Sequence, residues 1–414
     1  MSLKYFWLLF SLPLSLFSSI WYAQNPTDHS LSSFVIWMFS VFCVLLHVLV
    51  ESGSGKKIRQ AHIALKQTLT KHFLFPIIIA VAALLRFVHL TSMPILTHDE
   101  AKDAGLFPQL VLSGIHKDYF GFNAGINQVF FLFASVPHLL FTDPILKVRF
   151  FSALFGVATV ALIYIAGNYL FSRKTGIIAG FLLSAYHVHL FFSRTELLNL
   201  FDSFYGLLLL TLYFVYWRSR TQASLITLAI MLGSGLHFYS GLRAIIIIIT
   251  AFTLFSFINV KGFRAKGSSF TSLVIFFLVG LGPTITLFFT DRLTEMMASG
   301  NANLIFQLKS SIAQNAQLLL SNYGASLLAF VKTPIAFHYQ YGGPFLLLPF
   351  SLFFIFGVIL LLLNPHKALN LLLLTCLFGI PFFNSAIFSS INNAHRLMSV
   401  VPVIILITAH GVAS

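Results

Sequence analysis

Acidic side chains are scarce in this chain. Asp and Glu together number 11 among 414 residues, and charged residues of every kind make up 9%. A soluble globular domain carries about 25% charged residues, so this chain has too few to clothe a water-facing surface. Cysteine is nearly absent as well. Cys43 and Cys376 both fall inside apolar runs, which excludes a disulfide framework and a thiolate metal cluster. A phosphate-cradling loop is missing too. Ser52-Gly53-Ser54-Gly55-Lys56-Lys57 lacks the leading glycine and the hydroxyl residue after the lysine, and reads as a flexible linker.

What the chain has is hydrocarbon. Hydrophobic residues reach 58%, in runs near the roughly 20 residues that cross a bilayer. Lipid offers no partners to backbone N–H and C=O groups, so such runs are expected to be helices. The expected class is an all-α polytopic membrane protein. About twelve transmembrane helices are expected near 5–23, 33–50, 73–93, 149–170, 176–192, 200–217, 223–240, 242–258, 270–290, 344–363, 368–388 and 397–414. The first is expected to remain uncleaved, because Trp21-Tyr22-Ala23 is a poor small-residue cleavage site.

The loops sort by charge. Lys4, Lys56, Lys57, Arg59, Lys66, Lys71, Arg173, Lys174, Arg218, Arg220, Lys261, Arg264, Lys266 and Lys367 all fall on one side, with a single acid, Glu51. The positive-inside rule makes that side cytoplasmic and puts both termini there. It also accounts for the net charge of +14 without nucleic acid as a partner. The other ten acids then face outward, and acid–base chemistry is expected on that face. Two outward loops are long, about 94–147 and 290–343. The stretches 126–141 and 316–331 within them are expected to lie along the membrane surface as interfacial helices. The chain divides into an N-terminal pair of helices with a basic loop (1–72) and a membrane domain (73–414).

The first outward loop opens Thr97-His98-Asp99-Glu100-Ala101-Lys102-Asp103, which gathers three of the eleven acids. A carboxylate at a membrane interface can act as general base or hold a cation, and the lysine can neutralise a phosphate. The structural alternative is a solvated helix start capped by Thr97 or Asp99. Arg86 lies about 10 Å below the outer end of its span. It marks either a functional partner or a side chain snorkelling to the headgroups. His237-Phe238-Tyr239-Ser240-Gly241-Leu242-Arg243 places an arginine at the outer leaflet, where a lipid phosphate would lie, or where a plain interface anchor would serve. The same two readings hold for His395-Arg396. Arg194-Thr195-Glu196 reads first as an internal ion pair, and His187-Val188-His189 lacks the carboxylate a metal site would need.

Leu84-Leu85-Arg86-Phe87, then Pro94 and Asp99-Glu100-Ala101, resemble the start of the C-type (GT-C) glycosyltransferases. The similarity is closest to the branch of protein O-mannosyltransferases and lipid A aminoarabinose transferases. Arg149 to Gly156, the basic turn Leu170 to Gly176, His187 to Arg194, and Tyr239 to Arg243 continue the series in order, with a weaker echo near 395–410. Two features depart from the pattern. Two helices precede the usual first span, and Gly125-Ile126-Asn127-Gln128 stands where some members have a Glu-Lys-Pro-Pro-like segment. No C-terminal soluble domain is expected.

The resemblance implies a sugar donor carried on polyprenyl phosphate and an acceptor hydroxyl on a glycolipid, glycan or protein. It implies Asp99 as general base with inversion at C1, and Glu100 orienting the loop or the sugar. Lys102, Asp103, Arg86, Tyr239, Arg243, His395 and Arg396 would surround the sugar and the lipid phosphate. A divalent metal is compatible with the carboxylates but not required, and no other cofactor is implied. The expected location is a bacterial inner (plasma) membrane, with the site facing outward. Against this stand two other functions. A transporter or lipid flippase would show paired halves with broken helices at matching places, whereas here the polar residues concentrate in outward loops. A catalytically inert assembly subunit would have no need of Asp99, Glu100, Lys102 and Arg243.

Overall fold

The computed structural model describes residues 3–51, 73–123, 126–195, 197–258, 263–289, 311–332, 343–383 and 394–414. These residues are helical nearly throughout. The only strand pairing among them is a two-residue antiparallel turn, Phe122–Asn123 against Ile126–Asn127.

An N-terminal hairpin of α1 (Leu3–Gln24) and α2 (Ser30–Glu51) is followed by α3 (Leu74–Phe87). The first outward loop holds α4 (His98–Glu100), a π-helical turn (Ala101–Leu106) and α5 (Phe107–Leu112). It continues through α6 (Gln128–Ala134) and α7 (Val136–Leu140). The central bundle is α8 (Pro144–Leu170), α9 (Arg173–Ala185), α10 (His187–Phe192), α11 (Leu197–Ser219), α12 (Gln222–Ser234), α13 (Arg243–Ile258) and α14 (Phe263–Leu281). Then come α15 (Ile312–Leu328), α16 (Leu348–Leu362), α17 (Ala368–Pro381) and α18 (Val401–Ala413).

Each expected span overlaps a helix, with 73–93 helical only to Phe87 and 384–388 outside the described residues, but crossing is a stronger statement. Among the described residues five helices are long and apolar enough to cross a membrane: Ser30–Val48, Pro144–Leu170, Leu198–Ser219, Gly267–Phe289 and His395–Ala413. Leu74–Phe87, Gln222–His237, Arg243–Ile258, Leu348–Leu362 and Ala368–Pro381 are apolar but shorter. The expected helix over 176–192 is in fact two, because the chain breaks at Tyr186 between α9 and α10.

Backbones approach closely where small residues meet, the usual basis of helix contact in lipid. A Cβ on Gly167 of α8 would lie 2.7 Å from the Gly176 Cα of α9. In the N-terminal hairpin the close contacts are serines. Ser18 Oγ donates to the Ser33 carbonyl at 2.7 Å, and Ser40 Oγ to that of Ser11 at 2.6 Å.

The two expected interfacial helices differ from each other. Residues 128–134 are not a surface helix, since Phe130, Phe131 and Ala134 are buried beneath the first outward loop. Only the following turn is apolar and open, with Leu139 and Leu140 largely exposed. The stretch 316–331 does fall on a mostly exposed helix, α15, which buries Asn322 and Ser326.

Candidate active site

The acidic turn is built by a helix cap. Thr97 Oγ1 accepts from the Glu100 amide at 3.2 Å, and the Glu100 carboxylate accepts from the Thr97 amide at 3.1 Å, a reciprocal capping box. The π-helical turn that follows shifts the side-chain register over Ala101–Leu106, an irregularity common at functional sites. As a result the three neighbouring carboxylates have three different environments.

Glu100 turns inward and is fully buried. Arg149, at the start of α8, donates to it through Nε and through Nη2 (3.1 Å), and through Nη1 to the Leu90 carbonyl at 3.0 Å. Burial pushes the Glu100 carboxyl up, while Arg149 and the Thr97 amide pull against that rise. This pair pins the acidic turn to the bundle.

Asp99 and Asp103 stay at the edge. Lys102 Nζ lies 3.4 Å from Asp99 Oδ1 and 3.4 Å from Asp103 Oδ1. Burial lowers the Lys102 ammonium, but the two carboxylates more than offset it and leave it raised. Asp103 is the better buried of the two acids. Its burial, helped by the like charge of Asp99, lifts the carboxyl to about 6 against the pull of Lys102. A small cleft, with room for about one water molecule, opens here, walled by Asp99, Glu100, Asp103 and Ala104 with Phe130 of α6 and Leu198 and Asn199 of α11.

The basic turn packs against α11 as well. Asp202, one helical turn beyond Asn199, is fully buried, and neither of its oxygens has a hydrogen-bond partner among the described residues. The Gly241 backbone presses so closely on Asp202 Oδ2 that a Cβ there would collide with it. Arg243 faces Asp202 electrostatically, and its Nη2 is buried without a partner among the described residues. Tyr239 lies within electrostatic reach of both Arg243 and Arg396. Ser399 Oγ donates to the Gly241 carbonyl at 3.1 Å, joining the turn that carries His395 and Arg396 to the one that carries Tyr239 and Arg243. Thus α11 touches a carboxylate cleft through Leu198 and Asn199 and an arginine cluster through Asp202. Ionisable groups buried within a membrane protein are costly and mark a functional site by default.

Arg86 is elsewhere. Its guanidinium donates to the carbonyls of Ala82, Leu183 and Ser184 and meets His189 Nδ1 at 3.0 Å. The break at Tyr186 frees the last α9 carbonyls, and Arg86 takes them up. Fully buried and away from the cleft lining, it ties helices together in place of the expected contact with a lipid phosphate.

Arg194 also has carbonyl partners. It donates to the carbonyls of Leu85, Arg86, Val88 and Met93, so it caps the end of α3; Glu196 lies outside the described residues. His187 and His189 diverge, the former toward the Phe345 carbonyl at 3.1 Å. Among the described residues no three His, Cys, Asp or Glu side chains converge as a metal cage.

Sequence reasoning passed over Asp202, Asn199 and the Arg149 partnership. A signal for Asp202 existed, since an acid one turn inside an apolar span is itself unusual. Arg149 gave none, because 49 positions separate it from Glu100.

Residues 128–285 match the family model described as dolichyl-phosphate-mannose-protein mannosyltransferase. Over that stretch the chain is similar to the C-type glycosyltransferases, the class to which the sequence resemblance pointed. Among solved structures, it is similar to the oligosaccharyltransferase of Archaeoglobus fulgidus in its apo form, with 14% identity and a TM-score of 0.49. That alignment covers 83% of this chain and 51% of the other. It is also similar to the archaeal oligosaccharyltransferase AglB of the same organism in complex with an inhibitory peptide and a dolichol-phosphate, with 16% identity and a TM-score of 0.49. Here 81% of this chain and 49% of the other are covered. The chain spans about half the length of these solved structures. No curated protein matches.

Proposed function

We propose that this protein is a membrane glycosyltransferase that takes a sugar from a polyprenyl-phosphate carrier at the extracytoplasmic face and passes it to an acceptor hydroxyl. The observation that carries the reading is the approach of two charge clusters to the start of α11, a carboxylate cleft at Asn199 and an arginine cluster at Asp202, one helical turn apart. Group transfer from a lipid phosphate needs both: a base for the incoming hydroxyl and cations where negative charge develops on the departing phosphate. The family description, which names a dolichyl-phosphate-linked sugar as donor, supports the same donor class.

In this mechanism Asp99 takes the proton of the acceptor hydroxyl. The acceptor oxygen bonds to C1 of the sugar as the bond from C1 to the phosphate oxygen breaks, inverting the configuration. The electron pair leaves with the lipid phosphate. Arg243 and Arg396 stabilise that charge, with Tyr239 and His395 beside them. Lys102 pairs with Asp99 and Asp103, and Asp103 and Asn199 line the sugar side. Glu100 acts through Arg149, setting where the Asp99 carboxylate points. The acceptor class is a glycolipid, glycan or protein hydroxyl, and the compartment is the outer side of a bacterial inner membrane.

The test is transfer from synthetic polyprenyl-phosphate sugars by purified protein in lipid nanodiscs, with wild type beside Asp99→Asn. The wild type should turn over and the variant should lose at least about 10²-fold, the range expected for a general base. Equal turnover in the two would remove Asp99 from the mechanism.

A further inference from the structure

The N-terminal hairpin bears on the site through a specific chain of contacts. Trp37 of α2 donates its indole N–H to the Val279 carbonyl of α14 at 2.8 Å. Its ring packs on His237 at 4.9 Å and edge-on to Phe120 at 5.8 Å. Gly282, at φ +55°, lies against that ring where any Cβ would collide with it.

Behind Trp37 runs a buried polar chain. His237 Nδ1 meets Thr284 Oγ1 at 3.1 Å, and Asn127 Nδ2 donates to Thr284 Oγ1 at 3.3 Å and to the Phe120 carbonyl at 2.9 Å. At the hairpin tip, Tyr22 OH donates to Asp118 Oδ1 at 2.5 Å, and Ser30 Oγ accepts from the Tyr119 amide at 2.6 Å.

Both ends of this chain lead to the site. Asn127 caps α6 through the Val129 amide at 2.9 Å, and α6 supplies Phe130 to the acidic cleft. His237 directly precedes Phe238, which packs on Phe130 and Phe201, and the same turn continues to Tyr239 and Arg243.

We propose that the hairpin is a strut for the site. Trp37 and Tyr22 act as positioning residues that hold the first outward loop and the 235–243 turn in register, so that the carboxylate cleft and the arginine cluster face one substrate. The proposal rests on the transferase reading for its kinetic consequence, but not for its structural one. Two segments from distant parts of the chain touch each other through Phe130 and Phe238, and the knot braces that contact from the hairpin side. A misplacement of about 1 Å at such a site can cost on the order of 10²-fold in rate.

The experiment compares wild type, Trp37→Ala, Trp37→Phe and Tyr22→Phe in nanodiscs, by amide hydrogen exchange and by transfer kinetics. Trp37→Ala should speed exchange of the amides in 118–123 and 235–243, with that of Tyr119 foremost, and leave 144–170 and 401–413 unchanged. It should lower kcat by at least about tenfold while the donor KM stays within about twofold. Trp37→Phe, which keeps a ring on His237 and Phe120, should recover most of both effects. Unchanged exchange in the two segments would overturn the strut whatever the activity does. A wild type that transfers nothing would overturn the transferase reading, and the exchange data would still decide the strut. If Trp37→Ala fails to fold, Tyr22→Phe decides. It removes a single hydroxyl, and faster exchange confined to 118–123 supports the proposal, whereas none refutes it.

Discussion

Replacing Glu100 by Gln exchanges one carboxylate oxygen for an amide and leaves the shape intact. The wild-type carboxylate accepts from Arg149 Nε, from Arg149 Nη2 at 3.1 Å and from the Thr97 amide at 3.1 Å. Both side chains of the pair are fully buried. The glutamine has one acceptor oxygen for these three donors, and its NH2 group must face either Arg149 Nε or both Arg149 Nη2 and the Thr97 N–H. Arg149 keeps its charge with only the Leu90 carbonyl still well matched. Breaking a buried pair from one side costs about 3–5 kcal/mol.

About 1 kcal/mol shifts Tm by 2–4 °C in chains of 150–250 residues and by less in longer ones. The expected loss is therefore on the order of 5 °C in apparent Tm, read by scanning fluorimetry of detergent-solubilised protein. Asp99→Asn provides the contrast. Its partner Lys102 is one-third exposed, and a pair of that kind contributes at most about 1 kcal/mol. Asp99→Asn should therefore keep its Tm and lose activity, while Glu100→Gln should lose Tm first. A Glu100→Gln protein as stable as wild type, or an Asp99→Asn protein as destabilised as Glu100→Gln, would refute the division of labour between the two adjacent acids.

Three further outcomes are expected. Burial raises the Asp103 carboxyl from 3.8 to about 6, so between those values the folded state binds more protons than the unfolded one, and stability falls as pH rises. Asp103→Asn should remove that slope between about pH 4 and 6 in thermal melts, and an unchanged slope would place the titration elsewhere. Asp202→Asn replaces a buried carboxyl whose oxygens have no hydrogen-bond partner among the described residues; its Tm should hold or rise while transfer falls by at least roughly tenfold, and full activity would separate Asp202 from the site. A Lys117→Cys protein should react with an impermeant thiol reagent in intact spheroplasts, whereas protection there would reverse the orientation read from loop charge.

Much of the site was legible because acids are so rare in this chain. Asp99, Lys102 and Asp103 stand out in sequence, and the structure places them together at a cleft. Tyr239, Arg243, His395 and Arg396 stand out as polar residues at apolar helix ends, and the Ser399–Gly241 bond brings their two turns together. Arg86 misled for the same reason. A cation in an apolar run signals that something must compensate it, but not what does so. Here the partners are carbonyls released by a helix break at Tyr186. The segment 126–141 misled in its first half because its composition suits an interface equally well as a core, and only the loop folded over it decides between them.

Sequence alone determined the helical, apolar character of the chain and the face expected for its acids. Both follow from transfer free energies that act residue by residue: apolar runs partition into lipid as helices, and basic loops stay on the cytoplasmic side. Tertiary structure alone decided which of the scarce charges are neutralised and which remain to act. Glu100 meets an arginine 49 positions away and becomes a fastening, Asp99 stays at the edge, and Asp202 is enclosed beside Gly241. Pairing and desolvation depend on distances across the bundle, which no local pattern of residues encodes.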